Sequence, residues 1–177
     1  MFMKTKCLFT ALTVALLAAN APATTVIPPS FDQLVKEAQL IFEGRVMDVH
    51  CEWSGEGAQR VIVSYVTFEI EEGLKGSLGA NFTLRLVGGT IGNETITIAD
   101  APVFQKGDRD ILFVENNGRQ FVPLVGIMYG RFHVQADGVS GRDIVTDHAG
   151  RPPAGISPLG AADFKNLIRA KLGTVPR

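Results

Sequence analysis

The feature that most constrains the fold is a regular two-residue alternation between residues 62 and 71. Side chains of a β-strand point alternately to opposite faces, so this period predicts a half-buried strand and argues against a helix. One face is largely apolar, and it holds Ile62, Ser64, Val66, Phe68 and Ile70. The glycine-containing sequence at 73–76 is predicted to end the strand.

Other short segments with strand character follow the same pattern, and turn residues separate them at fairly regular spacing. These predicted strands cover residues 41–49, 82–86, 95–98, 110–114, 121–125 and 131–136. The Asn-Asn-Gly sequence at 116–118 is a typical hairpin turn. Gly44 and Gly130 lie in or beside strands, where glycine suits the tight bends of a closed sheet. The pattern predicts a mainly β fold, with a small antiparallel barrel favoured over a sandwich.

Two helices are predicted to flank the strands. Ser30 and Gln33 have capping-box spacing, which indicates a short N-terminal helix. Near the other end, residues 161–172 have the spacing of an amphipathic helix, with Phe164, Leu167 and Ile168 on one face. The predicted organisation is therefore a barrel domain over 24–159 and a C-terminal helix over 160–177, packed on the barrel or appended to it.

The first 23 residues have the pattern of a secretory signal peptide. Lys4 and Lys6 precede an apolar run at 8–18, and small residues at 21–23 provide a cleavage site. The apolar run is too short to span a bilayer, so no stable membrane anchor is expected after cleavage. The sequence predicts a signal peptide over 1–23 and an exported protein, periplasmic or secreted.

The charge balance argues against a nucleic-acid partner. Seventeen Lys and Arg residues stand against eighteen Asp and Glu, and the formal net charge is -1. No block of one sign is present, so the broad basic surface that such proteins use is absent. The length of 177 residues is that of one ordinary globular domain.

Cysteine usage leaves one thiol in the exported chain. Cys7 would leave with the signal peptide, so Cys51 would have no internal disulfide partner. Three alternatives remain open for Cys51: a buried unreactive thiol, an intermolecular disulfide, or a reactive thiol. His50 is its neighbour, but adjacent residues of a strand point to opposite faces, which argues against a catalytic pair.

No metal, cofactor or catalytic motif is found. The histidines His50, His133 and His148 show no metal-ligand spacing, and His133 is expected to be a solvated side chain on the polar face of its strand. The glycine-rich 88–92 segment lacks a phosphate-binding pattern and is predicted to be a flexible connection. No cofactor is therefore predicted.

One group of residues has the composition of a hydrolase triad. Ser140 and Asp143 lie near Asp147 and His148 in sequence, but Ser140 lacks the Gly-x-Ser-x-Gly elbow that exposes a nucleophile. The glycine- and proline-rich surroundings are typical of loops, so this grouping is interpreted as chance.

Three segments resemble a known family. They are Pro-Pro-Ser-Phe at 28–31, Ala-Gln-Leu-Ile-Phe-Glu-Gly-Arg-Val at 38–46, and the strand at 66–76 that ends in Leu-Lys-Gly. Together they are similar to the opening of netrin-like and tissue-inhibitor-of-metalloproteinases domains, including exported bacterial proteins of that type. The resemblance covers about residues 28–115 and implies a small antiparallel OB-like barrel.

The resemblance also implies a possible inhibitory segment, with one departure from the family pattern. In the inhibitors, an N-terminal Cys-x-Cys segment is held by disulfides, and the leading amine and carbonyl bind the catalytic zinc of the target. The corresponding segment here is Thr24, Thr25 and Val26, without those cysteines. Inhibition of a metalloprotease would then have to use the free amine and carbonyl of Thr24.

The leading functional hypothesis is a non-enzymatic exported domain that binds another exported protein. It depends on the signal peptide, the strand pattern and the lack of a catalytic motif. A metalloprotease inhibitor acting through Thr24, Thr25 and Val26 is the first alternative. The second is an enzyme with a convergent site near His50, Cys51 or His148.

Overall fold

The computed structural model describes residues 28–153 and 159–174. The predicted signal peptide and the segment of Thr24, Thr25 and Val26 lie outside the described residues. Within these ranges the chain forms two helices, eight strands and two short 3₁₀ turns. The helices are α1 (Phe31–Glu37) and α2 (Ala161–Thr174), and the 3₁₀ turns are Gly57–Gln59 and Ile127–Gly130. The strands are β1 (Leu40–Ser54), β2 (Val61–Lys75), β3 (Asn81–Val87), β4 (Gly89–Ile91), β5 (Glu94–Ile96), β6 (Arg109–Val114), β7 (Arg131–Ala136) and β8 (Asp143–Thr146).

Six of the strands form one antiparallel sheet in the order β3-β2-β1-β6-β7-β8, and β4 and β5 form a separate hairpin. The prediction of a mainly β, antiparallel fold with a helix near each end is confirmed. β1 and β2 are the longest of these strands. Within β1, only the Leu40–Arg45 part pairs with β6. The outer half of β1 therefore extends past β6.

β1 contains a bulge near the end of its pairing with β6. The register with β2 shifts between Glu43 and Gly44, and a Cβ atom at Gly44 would lie 2.9 Å from the Glu69 carbonyl oxygen. Only glycine accommodates this approach of the two backbones. Gly44, which the sequence analysis assigned to a tight bend, therefore lies at a bulge and a close approach of two strands.

The sheet buries apolar side chains on both faces. The two helices cover one face, where Phe113 and Phe132 pack against Phe164 of α2. On the opposite face, Phe42 and Phe68 pack edge to face, and loop residue Phe104 packs on Phe68 in the same way. The molecule therefore has a helix-covered core and a second core on the other side of the sheet.

Both helices were predicted from sequence. Ser30 accepts a hydrogen bond from the Gln33 amide while the Gln33 side chain accepts one from the Ser30 amide, which confirms the capping box. In α2, Phe164 and Ile168 are buried, but Leu167 is 39% exposed. The prediction that Leu167 shares their buried face is wrong, because only part of the apolar stripe reaches the sheet.

Two predicted segments differ from the structure. Residues 121–125 form no strand, since only Leu124 makes an isolated bridge, to Val114, and Phe121 is 69% exposed. Pro123 interrupts the ladder because it has no amide hydrogen to donate. The 88–92 segment is not simply a flexible connection, because Gly89–Ile91 forms β4.

Neither helix in the described ranges is long and apolar enough to cross a membrane.

Candidate functional site

An apolar pocket of about 320 Å³ lies between the outer halves of β1 and β2 and the β4-β5 hairpin. The chain reaches this position because it turns over the sheet after β3, where the Gly88 amide donates to the Ile62 carbonyl oxygen at 2.8 Å. Gly88 and Gly89 have φ angles of 113° and 132°. A Cβ atom on Gly89 would lie 2.5 Å from Ser64 Oγ, so glycine is required for the hairpin to pack this closely.

Cys51 lies in the wall of the apolar pocket and is partly buried. Its Sγ is 3.3 Å from Ser64 Oγ, and Ser64 Oγ donates to the Gly88 carbonyl oxygen at 2.6 Å. Because Ser64 has used its only hydrogen, the thiol of Cys51 must be the donor to Ser64. This geometry connects Cys51, through Ser64, to the backbone that leads into β4.

His50 does not join Cys51 in this pocket. Its ring stacks on Tyr65 with centroids 5.3 Å apart, and its Nδ1 is 3.1 Å from Asp48 Oδ2. Strand alternation separates the two side chains, as expected for neighbours in β1. The structure therefore places these two sequence candidates in different surroundings.

The edge of the apolar pocket exposes apolar side chains. Val49 is 36% exposed and Val103 is 77% exposed, and both line the pocket. An isolated exposed valine is ordinary, but exposed apolar groups around an apolar depression are typical of binding surfaces.

A second depression, the polar cleft, lies on the other side of the loop at 101–103. It has a volume of about 570 Å³ and includes three carboxylates, an arginine and two histidines. The titratable residues are Asp100, Asp108, Asp147, Arg131, His133 and His148. Ala101, Pro102 and Val103 line both depressions, so this short segment is their common wall.

A buried carboxylate, Asp110, orients two side chains that line the polar cleft. Asp110 of β6 is fully buried, and its Oδ1 accepts hydrogen bonds from Arg131 Nε at 2.9 Å and from His133 Nδ1 at 3.0 Å. Asp110 Oδ2 has no hydrogen-bond partner among the described residues. Arg131 also donates to Asp108 and to the Val103 carbonyl oxygen, and its guanidinium lies over the Phe104 ring. Arg131 thus connects β7 to the common wall.

His133 is not the freely solvated side chain that the sequence predicted. The hydrogen bond to Asp110 raises the pKa of His133, and this effect outweighs partial burial, which acts in the opposite direction. Since a carboxylate oxygen can only accept, Nδ1 must carry the proton and Nε2 is left for other contacts. The missed pairing joins residues in adjacent strands, with β6 and β7 aligned at Asp110 and His133.

The loop residues that suggested a triad have other partners. Ser140 Oγ donates to Asp137 Oδ2 at 2.5 Å, which together with the Ser140 amide lowers the pKa of Asp137. His148 instead packs edge-on against Tyr129, with centroids 4.9 Å apart. Ser140 and His148 form no hydrogen bond to each other in the described ranges.

A second buried carboxylate lies on the helix-covered side of the sheet. Glu43 is 1% exposed, and it receives Lys165 Nζ at 2.5 Å on Oε2. Arg109 Nη2 lies 2.7 Å from Glu43 Oε1 as an ion pair, without hydrogen-bond geometry. Arg109 also contacts Glu71 and Asp143. We refer to Glu43, Glu71, Arg109, Asp143 and Lys165 as the Glu43 cluster.

Lys165 extends this network to β2. Burial disfavours its charge, but hydrogen bonds to Glu43 and Glu72 outweigh that effect and raise the pKa of Lys165. The same hydrogen bond lowers the pKa of Glu72, which also pairs with Arg169. The contacts connect α2 to β1 and β2, so the network has a structural role that sequence patterns did not indicate.

The described ranges contain no group of three or more His, Cys, Asp or Glu side chains arranged to hold a metal ion. No protein-family model matches the chain, and neither a curated protein nor a solved structure is significantly similar to it.

Proposed function

We propose that this protein is an exported, non-enzymatic binding domain that recognises another protein through the apolar pocket. The observation that carries the proposal is the combination of the apolar lining of the pocket with exposed Val49 and Val103 at its edge. Its volume, about 320 Å³, is at the low end for small-molecule sites. Buried anchor side chains in such depressions dominate many protein interfaces.

The proposed partner offers an apolar anchor within a basic segment. Glu94 of β5 and Asp100 are exposed in the segments that approach the pocket. Negative charge around an apolar depression favours positively charged partners and accelerates their association.

The proposed scaffold is a small OB-like barrel. Beyond β3, the Val87 amide donates to the Phe121 carbonyl oxygen at 2.7 Å. The segment containing Phe121 returns to β6, where Val114 and Leu124 form a bridge. These contacts support a ring of β1, β2, β3, residues 121–125 and β6, closed partly by irregular backbone.

Export is proposed from the sequence at 1–23. Its basic start, apolar run and small-residue exit are the three parts of a secretory signal. Recovery of a chain that begins at Thr24 from the exported fraction of its host would support this part of the proposal. A protein that retains residues 1–23 and stays inside the cell would contradict it.

Site-specific photo-crosslinking tests the proposed pocket. A photoreactive benzoylphenylalanine replaces Val103 in the full-length protein, which is expressed in its own host. We expect a discrete adduct with another exported protein after irradiation. Because Val49 lines the same pocket, Val49→Glu in the same chain should reduce the adduct strongly.

Val139 provides a matched control, because it is 97% exposed in the turn between β7 and β8. Its replacement by the same photoreactive residue should give no corresponding adduct. Equal adducts at positions 103 and 139, or an adduct at 103 that Val49→Glu leaves unchanged, would overturn the pocket as the binding surface.

The enzyme alternative has one observation in its favour. Asp110 orients His133, and the free Nε2 of a histidine held in this way can act as a general base. His148 lines the same polar cleft, whereas Cys51 and His50 do not. Combined His133→Gln and His148→Gln substitutions that leave every phenotype of the wild type intact would remove this alternative.

The inhibitor alternative stays a prediction from resemblance. It requires a free amine and carbonyl at Thr24, followed by Thr25 and Val26. N-terminal sequencing of the exported protein is the direct test, since a start at any other residue contradicts this form of the hypothesis.

A further inference from the structure

The outer half of β1 has one edge without a neighbouring strand. Beyond Arg45, β1 pairs with β2 alone in the part of the chain that the structure describes. The last backbone contacts on the β6 side are those of Val46, which donates to Asp108 and accepts from Gly107. We call residues 47–54 the free edge. An unpaired strand edge offers amide and carbonyl groups for pairing with another strand.

The side chains along this edge alternate regularly between the two faces of the strand. Asp48, His50 and Glu52 lie on one face, with side-chain exposures of 63%, 49% and 61%. Val49, Cys51 and Trp53 lie on the other, and Arg60 covers the Trp53 ring at 3.9 Å. The bulge at Met47 separates this regular part from Val46. The free edge is thus regular over 48–54.

We propose that the free edge is a homodimer interface, in which two copies pair antiparallel about a two-fold axis through Cys51. This register places His50 opposite Glu52 of the second copy, and Val49 opposite Trp53 of the second copy, each twice by symmetry. Cross-strand pairs that hydrogen-bond, and pairs of apolar with aromatic side chains, stabilise antiparallel sheets. The interface is isologous, as a closed dimer requires.

Neighbouring registers of the two β1 strands are unfavourable. An axis through His50 would place Asp48 opposite Glu52 of the second copy, and an axis through Glu52 would place two Glu52 carboxylates together. Like charges directly opposite each other destabilise a sheet. An axis through Val49 would require Trp53 of the second copy to pair with Arg45, whose position is already occupied by Arg109 of β6.

Registers that would place an odd-numbered residue opposite an even-numbered one are excluded by the geometry of the strand. Directly opposed residues in an antiparallel pair point to the same face, so a two-fold axis perpendicular to the sheet must pass through a residue pair of equal parity. The register centred on Cys51 is therefore the one in which face, charge and available edge length agree. The copies would form a continuous sheet through their two β1 strands.

The dimer does not depend on a disulfide. The two Cys51 residues face each other in this register, but each Sγ contacts Ser64 in its own chain. The proposal rests on main-chain pairing and on the His50 and Glu52 contacts, and it goes beyond the proposed recognition of another protein.

Sedimentation velocity of the full chain with its signal peptide removed, run with reductant, tests the interface. We expect the wild type to show a concentration-dependent monomer–dimer equilibrium. His50→Glu places two carboxylates opposite each other, and Glu52→Lys places Lys opposite His. Each should raise the dimer dissociation constant about tenfold, because two symmetric pairs are affected. The double variant His50→Glu/Glu52→Lys places Glu opposite Lys of the second copy and should recover most of the affinity.

Glu37→Lys is the matched control, since this exposed glutamate lies on α1 and changes the net charge by the same amount as Glu52→Lys. It should leave dimerisation unchanged, and circular dichroism should show the same fold for all variants. A wild type that stays monomeric up to about 1 mM would overturn the interface. A dimer that the two single variants do not weaken would overturn this register and, with it, the proposal.

Discussion

Two consecutive residues of β6 organise ion pairs on opposite sides of the same sheet. Arg109 points to the helix-covered side, where it contacts buried Glu43, and Asp110 points to the other side, where it is itself the buried carboxylate. In the described ranges, each side therefore contains one carboxylate with almost no solvent exposure. The difference lies in the cations that accompany it.

Glu43 is served by Lys165 and Arg109, whereas Asp110 is served by Arg131 and His133. Lysine and arginine keep their charge far above neutral pH, but histidine loses its charge near neutrality. The ionisation of these partners, rather than the burial of the carboxylate, therefore determines the pH at which each cluster loses a charged partner.

The largest effect is expected for Arg131→Met. It leaves Asp110 fully buried with only His133, and it removes the contacts to Asp108, Phe104 and the Val103 carbonyl oxygen. Breaking a buried ion pair in this way should lower the free energy of unfolding by about 3–5 kcal/mol. Urea denaturation at neutral pH measures the loss.

Two further variants separate charge from packing. Arg119→Met changes an exposed arginine in the loop after β6 and should alter stability by less than about 0.5 kcal/mol. Arg131→Met combined with Asp110→Leu removes both charges and should recover much of the loss. If the double variant is as unstable as Arg131→Met alone, an uncompensated Asp110 charge is not the cause.

Arg109→Met should have a smaller effect, because Glu43 keeps Lys165 at 2.5 Å. Glu71 and Asp143 are 28% and 41% exposed at the side chain, so water can solvate them after the substitution. We expect a loss of about 1.5–3 kcal/mol, typical of interactions with charged groups. A loss greater than that of Arg131→Met would reverse the proposed order of the two clusters.

His133→Gln should change the pH dependence of stability. The raised pKa of His133 means that its favourable contribution is complete below its unfolded value of about 6.5. That contribution is lost as pH rises through the higher folded value. Because His133 is 37% exposed and solvent screens it, we expect less than about 1 kcal/mol.

Urea denaturation from pH 5.5 to pH 9 isolates this contribution as the difference between wild type and His133→Gln. The wild type should be the more stable protein at the acidic end, and the two curves should converge at the alkaline end. Parallel curves would show that the contact with Asp110 does not raise the proton affinity of His133 in the folded state.

Glu72→Gln should change the free energy of unfolding least. Its effect on the pH dependence should appear at acidic pH. The hydrogen bond from Lys165 lowers the pKa of Glu72 below 4.5, so its contribution is complete above that value and lost as pH falls through the lower folded one. We expect less than about 1 kcal/mol near neutrality, since this carboxylate is 35% exposed. Acid titration of unfolding should show a shallower decline for the variant than for the wild type.

The local parts of the fold could be predicted from sequence. Ser30 and Gln33 lie three residues apart, and the 62–71 alternation needs only neighbouring positions, so both patterns indicate structure without knowledge of the tertiary fold. β4 was missed because Gly89–Ile91 is too short and glycine-rich to show a strand period. Its position depends on close packing against Ser64.

The sites could not be predicted in the same way. Asp110 and His133 are 23 residues apart, and Glu43 and Lys165 are 122 apart. These contacts arise only when the strands are aligned and α2 is packed on the sheet. From sequence, Cys51 was identified as a candidate and His133 as a solvated side chain. Their partners, Ser64 and Asp110, carry no local signature.

The segment at 101–103 has a consequence for affinity. It separates the apolar pocket from the polar cleft, and Arg131 holds the Val103 carbonyl oxygen from the cleft side at 2.6 Å. A molecule that displaces this segment from the pocket must act against that contact. If binding in the pocket displaces this segment, thermodynamic reciprocity requires that it change affinity in the cleft by the same factor as binding in the cleft changes affinity in the pocket.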